Sequence, residues 1–160
     1  MTNHHLQVAL NAAAQGFRVL PVNPKNKVPY LSKWPQKATN AQADIEQIWL
    51  NKPHAMVGIL TGQPNSYWVL DIDPPLDGTV ADVLKQLENL YGNFDPWMTV
   101  ATPRGGLHLY FNTPLTHTIG ISSSQVAPNV DVRGVGGYVI FPGSIRHDGT
   151  QYKIVQGGQS

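Results

Sequence analysis

Tyr67-Trp68-Val69-Leu70-Asp71-Ile72-Asp73 is the run on which the reading of this chain turns. It is rich in aromatic and branched residues and stops at Pro74-Pro75, which cannot continue a ladder, so it predicts a strand over 67–73. Side chains alternate across a strand, so Asp71 and Asp73 share a face at its carboxyl end, with Cα atoms about 6–7 Å apart. Two bare carboxylates brought to about 4 Å repel by roughly 4 kcal/mol at an effective dielectric of about 20. A shared proton, basic neighbours or a divalent cation must offset that repulsion. Oxygen-only ligation suits Mg²⁺ or Mn²⁺. The plain alternative is a strand running into an acidic turn.

Outward from this strand, helices alternate with strands first, and strands follow one another afterwards. A helix is predicted over 4–15, with Leu6, Ala9, Leu10 and Ala13 as its apolar stripe and Gly16 as its stop. Residues 17–22 read as a strand in which Pro21 points to an edge, and 23–38 as a Pro/Lys-rich loop. A second helix follows over 41–51. Thr39 and Gln42 have capping-box spacing, and Ile45, Ile48 and Trp49 form its inner face. Residues 56–60 are a short strand. A third helix spans 79–91, with Val80, Val83, Leu84, Leu87 and Leu90 inward. Further strands are predicted at 98–101, 107–112, near 129–132, 138–141 and 151–155, separated by Gly, Pro and Asn turns. The expected class is α+β (mixed α/β), an α/β unit joined to an antiparallel sheet.

Two more stretches carry chemistry. In Thr102-Pro103-Arg104-Gly105-Gly106-Leu107-His108, the Gly-Gly turn permits close backbone approach to a ligand. His108, early on an apolar strand, suits a phosphate or a metal, or is a core histidine with a hydrogen-bonded partner. In Val130-Asp131-Val132-Arg133-Gly134-Val135-Gly136-Gly137-Tyr138, Asp131 stands among apolar neighbours, where a carboxylate is costly unless paired or metal-bound. Arg133 is two residues on and shares its face, so an Asp131–Arg133 ion pair is the plain alternative. The glycines resemble a phosphate loop, but Val139 occupies the third glycine position of the dinucleotide pattern, and a strand follows where a helix is required. Arg18, Lys25, Lys27, Lys33 and Lys37, interleaved with Phe17, Tyr30 and Trp34, suit contact with a single nucleic-acid strand or form a solvated loop. Arg146, His147 and Lys153 are further candidate phosphate contacts; His4, His5, His54 and His117 receive no role.

Composition narrows the classes. The 160 residues suit one domain over 1–160, and 41% hydrophobic content argues against disorder. There is no cysteine, which excludes a disulfide scaffold, Cys-ligated zinc and thiol catalysis. No apolar run reaches transmembrane length, and Met1-Thr2-Asn3-His4-His5 does not begin a signal peptide, so a cytoplasmic protein without membrane contact is expected. Net charge is only +1, yet residues 1–60 carry six Lys/Arg against two acids, whereas 61–100 carry one Lys against six acids. An acidic centre beside basic surface fits a metal site flanked by anion-binding ground.

The order of these motifs resembles the N-terminal primase/polymerase (prim-pol) domain of bifunctional replication proteins of plasmids, phages and archaea, within the archaeo-eukaryotic primase superfamily. The resemblance starts at Gly16-Phe17-Arg18-Val19-Leu20-Pro21-Val22 with Lys27-Val28-Pro29. It runs through Val57-Gly58-Ile59-Leu60-Thr61-Gly62 to Pro142, Ser144, His147, Gly149 and Tyr152. Asp71-Ile72-Asp73 looks like the first catalytic motif, Gly105-Gly106-Leu107-His108 the second, and Asp131-Val132-Arg133-Gly134 the third. A small residue often stands where Arg104 is, and a second proline where Gly143 is. The zinc-binding cysteines of some relatives, and the helicase domain that commonly follows, are not in this chain.

The resemblance implies an N-terminal α/β unit packed on an RRM-like, largely antiparallel sheet with flanking helices. It implies that Asp71, Asp73 and Asp131 hold two Mg²⁺ or Mn²⁺ ions, and that His108 contacts the incoming triphosphate. Arg104, Arg133, Ser144 and His147 are weaker nucleotide contacts. The implied activity is metal-dependent nucleotidyl transfer that makes or extends primers, as a DNA primase/polymerase. The implied partners are a single-stranded DNA template and primer, dNTP or NTP, and a helicase in cis or in trans. Two alternatives stand beside it: a non-catalytic single-strand-binding module of the same fold, and a D-x-D glycosyltransferase holding a nucleotide sugar.

Overall fold

The computed structural model describes residues 3–62, 67–114 and 116–158. In chain order the elements are α1 (His4–Ala14), β1 (Val19–Val22), α2 (Trp34–Lys37), α3 (Gln42–Asn51), β2 (Met56–Leu60), β3 (Tyr67–Ile72), α4 (Val80–Tyr91), β4 (Met98–Ala101), β5 (Leu107–Asn112), β6 (Ser122–Ala127), β7 (Val130–Arg133), β8 (Tyr138–Ile140) and β9 (Lys153–Gly157). The protein is mixed α/β with few helices, and the pairings between these strands are antiparallel. No helix among the described residues is long and apolar enough to cross a membrane. The chain divides into two compact units, Met1–Leu60 with Tyr138–Tyr152, and Thr61–Gly137 with Lys153–Ser160.

The first unit is built on a three-stranded sheet in the order β1-β2-β8. Pro21 sits in β1, an edge strand, with its carbonyl accepting from the Tyr30 N–H on the side away from β2, so its missing N–H removes no bond to β2. The segment that follows folds back along that edge through isolated bridges at Val22–Pro29 and Val19–Thr39. It was expected to be all loop, but it contains the single turn α2, started by Lys33 in the left-handed region at φ 54° with Pro35 in its first turn. Too short for any hydrophobic period, α2 left no pattern to read.

α1 ends in a Schellman arrangement. Gly16, at φ 93°, donates to the Ala13 carbonyl, and Phe17 donates to Ala12. Its buried face is His5, Val8, Ala9 and Ala12; Leu6, Leu10 and Ala13 lie half-buried at the border. The apolar stripe is thus rotated by about one residue from the expected one, because His5 reads as polar yet is buried. α3 buries Ile45 and Trp49, with Ile48 half-buried, and the Trp49 indole donates to the Ala55 carbonyl at 2.9 Å. Its N-cap is Ala41, without a side-chain cap. Thr39 does not form the expected box. It lies outside the helix, accepting from the Ala41 N–H at 3.0 Å and donating to Asp44 at 3.1 Å.

The second unit carries a six-stranded sheet in the order β6-β7-β3-β5-β4-β9. One of its faces packs on α4. Leu70, Ile72, Leu109, Val130 and Val132 meet Val83 and Leu87, with Val80 and Leu84 at the margin. α4 opens with a complete capping box between Thr79 and Asp82. Leu90 was expected inward but is 58% exposed; the buried residues of α4 are Val83 and Leu87. β6 was not expected at all. Ser122-Ser123-Ser124-Gln125 shows no apolar alternation, and this edge strand is held by backbone pairing to β7. β9 lies two residues later than the expected 151–155, and Gln151 makes only an isolated bridge to Ile145.

Candidate active site

Alternation along β3 divides its side chains between two faces. Trp68, Leu70 and Ile72 join the core beneath α4, so Tyr67, Val69 and Asp71 face the other way. Register then decides what stands beside Asp71. On β5 it is opposite His108, and on β7 opposite Asp131. One cross-strand row therefore holds His108, Asp71 and Asp131, three residues far apart in the chain and all in the second unit.

His108 Nε2 lies 3.3 Å from Asp71 Oδ1. Arg133, one alternation further along β7, reaches both carboxylates with one nitrogen: Nη2 is 3.5 Å from Asp71 Oδ2 and 3.3 Å from Asp131 Oδ2. The second Asp131 oxygen accepts from the Ser124 N–H at 3.2 Å. The Asp71 and Asp131 side chains are only 18% and 19% exposed, enough to be reached from solvent but largely desolvated. Burial alone would raise the Asp71 carboxyl. The hydrogen bond and charge of His108, joined by the Arg133 guanidinium, outweigh it and hold Asp71 below the usual carboxylate value.

Asp73 lies one residue past β3, exposed, with its N–H donating to the Asn129 carbonyl at 2.9 Å. Among the described residues no group of three or more His, Asp or Glu side chains stands so as to hold a metal ion. The structure thus pairs Asp71 with Asp131 and bridges them with a guanidinium. The donor chemistry of that pair, two facing carboxylates, fits a hard divalent cation. Such an ion would meet Arg133 already serving as counter-charge.

The other expected residues are placed as follows. Arg104 is exposed at the β4–β5 turn. There Gly106 approaches backbone closely, since a Cβ on it would lie 2.5 Å from the Ile72 carbonyl oxygen. Gly134 is similarly confined by the Ile119 and Gly120 carbonyls, so this glycine serves chain packing. Ser144 and His147 belong to the first unit. Ser144 is fully buried and its hydroxyl accepts from the Val57 N–H at 3.1 Å; His147 is exposed, with Nδ1 3.2 Å from the Pro24 carbonyl. Of the aromatics near the basic loop, Phe17 packs on Phe141, Trp34 meets Tyr138 edge-on, and Tyr30 lies beneath Lys52 Nζ at 4.4 Å.

Two residues of the site escaped the sequence reading. Ser124 reaches Asp131 through its backbone at a left-handed φ of 52°, beside a register shift in β6, a geometry that no side-chain pattern announces. Tyr110 follows His108 by two residues and shares its face, so strand parity alone would have found it. It is fully buried, stacks on Tyr67, meets Trp97 edge-on, and its hydroxyl has no partner among the described residues. Burial, then the Asp71 charge, push its pKa upward, so the phenol stays protonated.

Over residues 9–159 the sequence matches the family described as Prim-Pol, bifunctional DNA primase/polymerase, N-terminal. The chain belongs to this family. A search among curated proteins returns no match. The Prim-Pol match takes in both units and every residue of the cross-strand row, and membership implies a primase/polymerase nucleotidyltransferase.

Proposed function

We propose that this Prim-Pol domain is a metal-dependent DNA primase/polymerase that makes or extends primers, in replication of a plasmid, phage or other mobile element. The observation that supports it best is the row His108–Asp71–Asp131, which sets two carboxylates and an imidazole on one sheet face. The strand order β7-β3-β5-β4, with α4 between β3 and β4 in the chain, supports reading this sheet as the RRM-like catalytic core.

Asp71 and Asp131, with Asp73 as a third donor, would hold Mg²⁺ or Mn²⁺, which supplies charge neutralisation at the triphosphate and lowers the pKa of a primer 3′-hydroxyl. Asp71 enters ionised, because His108 and Arg133 hold it so. His108, whose Nε2 faces Asp71 Oδ1 at 3.3 Å, would be the donor to a phosphate oxygen once substrate displaces that contact. Arg133, with its planar fork of donors, is the residue best shaped to follow a phosphate as the substrate arrives. In the reaction the 3′-oxygen bonds to the α-phosphorus, the bond to pyrophosphate breaks, and the hydroxyl proton passes to solvent water. Template and primer strands, dNTP or NTP, and a helicase in cis or in trans are the proposed partners. Arg104 remains a candidate nucleotide contact.

The guanidinium bridge favours one second reading, a single-strand-binding module without catalysis, because Arg133 balances the aspartates without any metal. Primer-extension and de novo priming assays with each nucleotide class, in Mg²⁺ or Mn²⁺, separate the two. The combined change Asp71→Ala with Asp73→Ala is expected to abolish incorporation while circular dichroism shows the fold intact. Undiminished incorporation by that variant rejects the catalytic reading, and template binding by the native chain without incorporation under either metal supports the binding module.

A further inference from the structure

The first unit contains a cavity of about 670 Å³ whose lining the proposed reaction does not use, formed in part by Asn3, His4, His5, His54, Arg146 and His147. Four imidazoles and a guanidinium meet there, and among the described residues no carboxylate lines the cavity. His5 is a fixed neutral wall. Its Nε2 accepts from the Ile145 N–H at 2.9 Å, and burial, with the neighbouring His4 and His54, lowers its pKa to about 4. His4 is anchored to the Gly143 carbonyl at 2.7 Å, and His147 through Nδ1 to Pro24.

Arg146 is the anomaly. It is 92% buried, one terminal nitrogen donates to the Lys25 carbonyl at 3.1 Å, and its Nε–H has no acceptor among the described residues. No described acid lies within ion-pair distance of it. Asp148 feels its charge and that of His147, but is fully exposed and is turned to Thr150. A buried guanidinium without a counter-ion is costly, and the group that relieves it is an anion. The amino end of α1, capped by Asn3, opens on the same cavity and adds partial positive charge. The whole unit is electropositive, with seven Lys/Arg against three acids. The described residues offer no metal-binding group here.

We propose that this cavity binds a phosphate group, with Arg146 as its principal partner and His4, His54 and His147 around it. The volume exceeds what a free ion needs and lies within the usual range for small-molecule sites. The phosphate is therefore that of a nucleotide or of a nucleic-acid strand end, or an inorganic ion standing in for either.

The test is a ¹H–¹⁵N NMR titration of the whole chain, without divalent metal. The probes are inorganic phosphate, dATP, a 5′-phosphorylated oligodeoxynucleotide and its 5′-hydroxyl counterpart. Saturable shifts are expected at Asn3, His4, His54, Arg146 and His147. Arg146→Gln should weaken binding by about tenfold or more, as loss of a charge-assisted contact does. Exposed His54→Gln should weaken it severalfold. Asp71→Asn should leave it unchanged, which keeps this site's failure separate from failure of the catalytic reading. The probe bound most tightly identifies the source of the phosphate. Shifts that do not saturate, shifts confined to Asp71, His108 and Arg133, or native affinity in the variants overturn the proposal. If Arg146→Gln does not fold, His54→Gln and His147→Gln decide the matter alone.

Discussion

Asp71 and Asp131 stand directly opposite each other on β3 and β7, and a single nitrogen of Arg133 lies within 3.5 Å of both. Opposed like charges on neighbouring strands destabilise a sheet. The guanidinium converts that repulsion into a shared ion pair. It has the same charge sign as the cation proposed for this place, so Arg133 and a divalent ion are alternatives for one task.

Arg133→Gln is expected to destabilise the protein by about 1–3 kcal/mol in metal-free buffer, because it leaves two partly buried carboxylates without their counter-charge. Addition of Mn²⁺ should restore stability more in this variant than in the native chain. Chemical denaturation with and without Mn²⁺ checks both outcomes.

Acid should reveal the Asp71 pairing. Its folded pKa lies below the ordinary value of 3.8, so the folded state holds this proton less tightly than the unfolded chain does. The stability it contributes is complete above that value and is lost as pH falls through the lower folded value. In Asp71→Asn this contribution is absent. The native and variant unfolding free energies should therefore differ by a constant amount from neutral pH to about 4, and converge below it.

His5 sets a different window. Its pKa falls from 6.5 to about 4 on folding, so the unfolded chain takes up the proton first. Native stability should decline as pH drops from about 6.5 towards 4, and His5→Gln should flatten that slope while lowering stability at neutral pH. An imidazole NMR titration of the native protein should show one histidine with a midpoint near 4.

Tyr110→Phe removes a buried hydroxyl that has no partner among the described residues, and keeps the ring between Tyr67 and Trp97. A gain of about 1 kcal/mol, seen as a melting temperature a few degrees higher, is expected. A loss of stability would mean that the hydroxyl is satisfied in solution.

The row His108–Asp71–Asp131 was legible because two independent codes agreed there. The apolar run 67–72 fixed a strand, strand parity fixed the face of Asp71, and the motif order pointed to His108 and Asp131 as its neighbours. What parity cannot give is register between strands, and so the Arg133 bridge to Asp71, as opposed to the local pair with Asp131, emerged only from the fold. β6 was invisible because an edge strand needs only backbone partners, and Ser122-Ser123-Ser124 offers no burial pattern. The α1 face was misjudged by one residue because hydrophobicity is a poor guide to a histidine that folding keeps neutral. Arg146 and His147 stood out as candidate phosphate contacts, but the cavity they line did not, because its residues come from four separated segments and histidines at 4, 5, 54 and 147 share no period.

The chain leaves the first unit after Leu60, returns to it at Tyr138, and leaves it again after Tyr152 to add β9 to the second sheet. Neither unit is a continuous stretch, so no single nick or deletion frees one from the other. A fragment ending before Tyr138 strips β8 from the first sheet, and one ending at Tyr152 strips β9 from the second. Dissecting the two would take circular permutation or grafting at three crossovers at once. For the same reason recombination between relatives can exchange this module intact, but it has few ways to shuffle its halves.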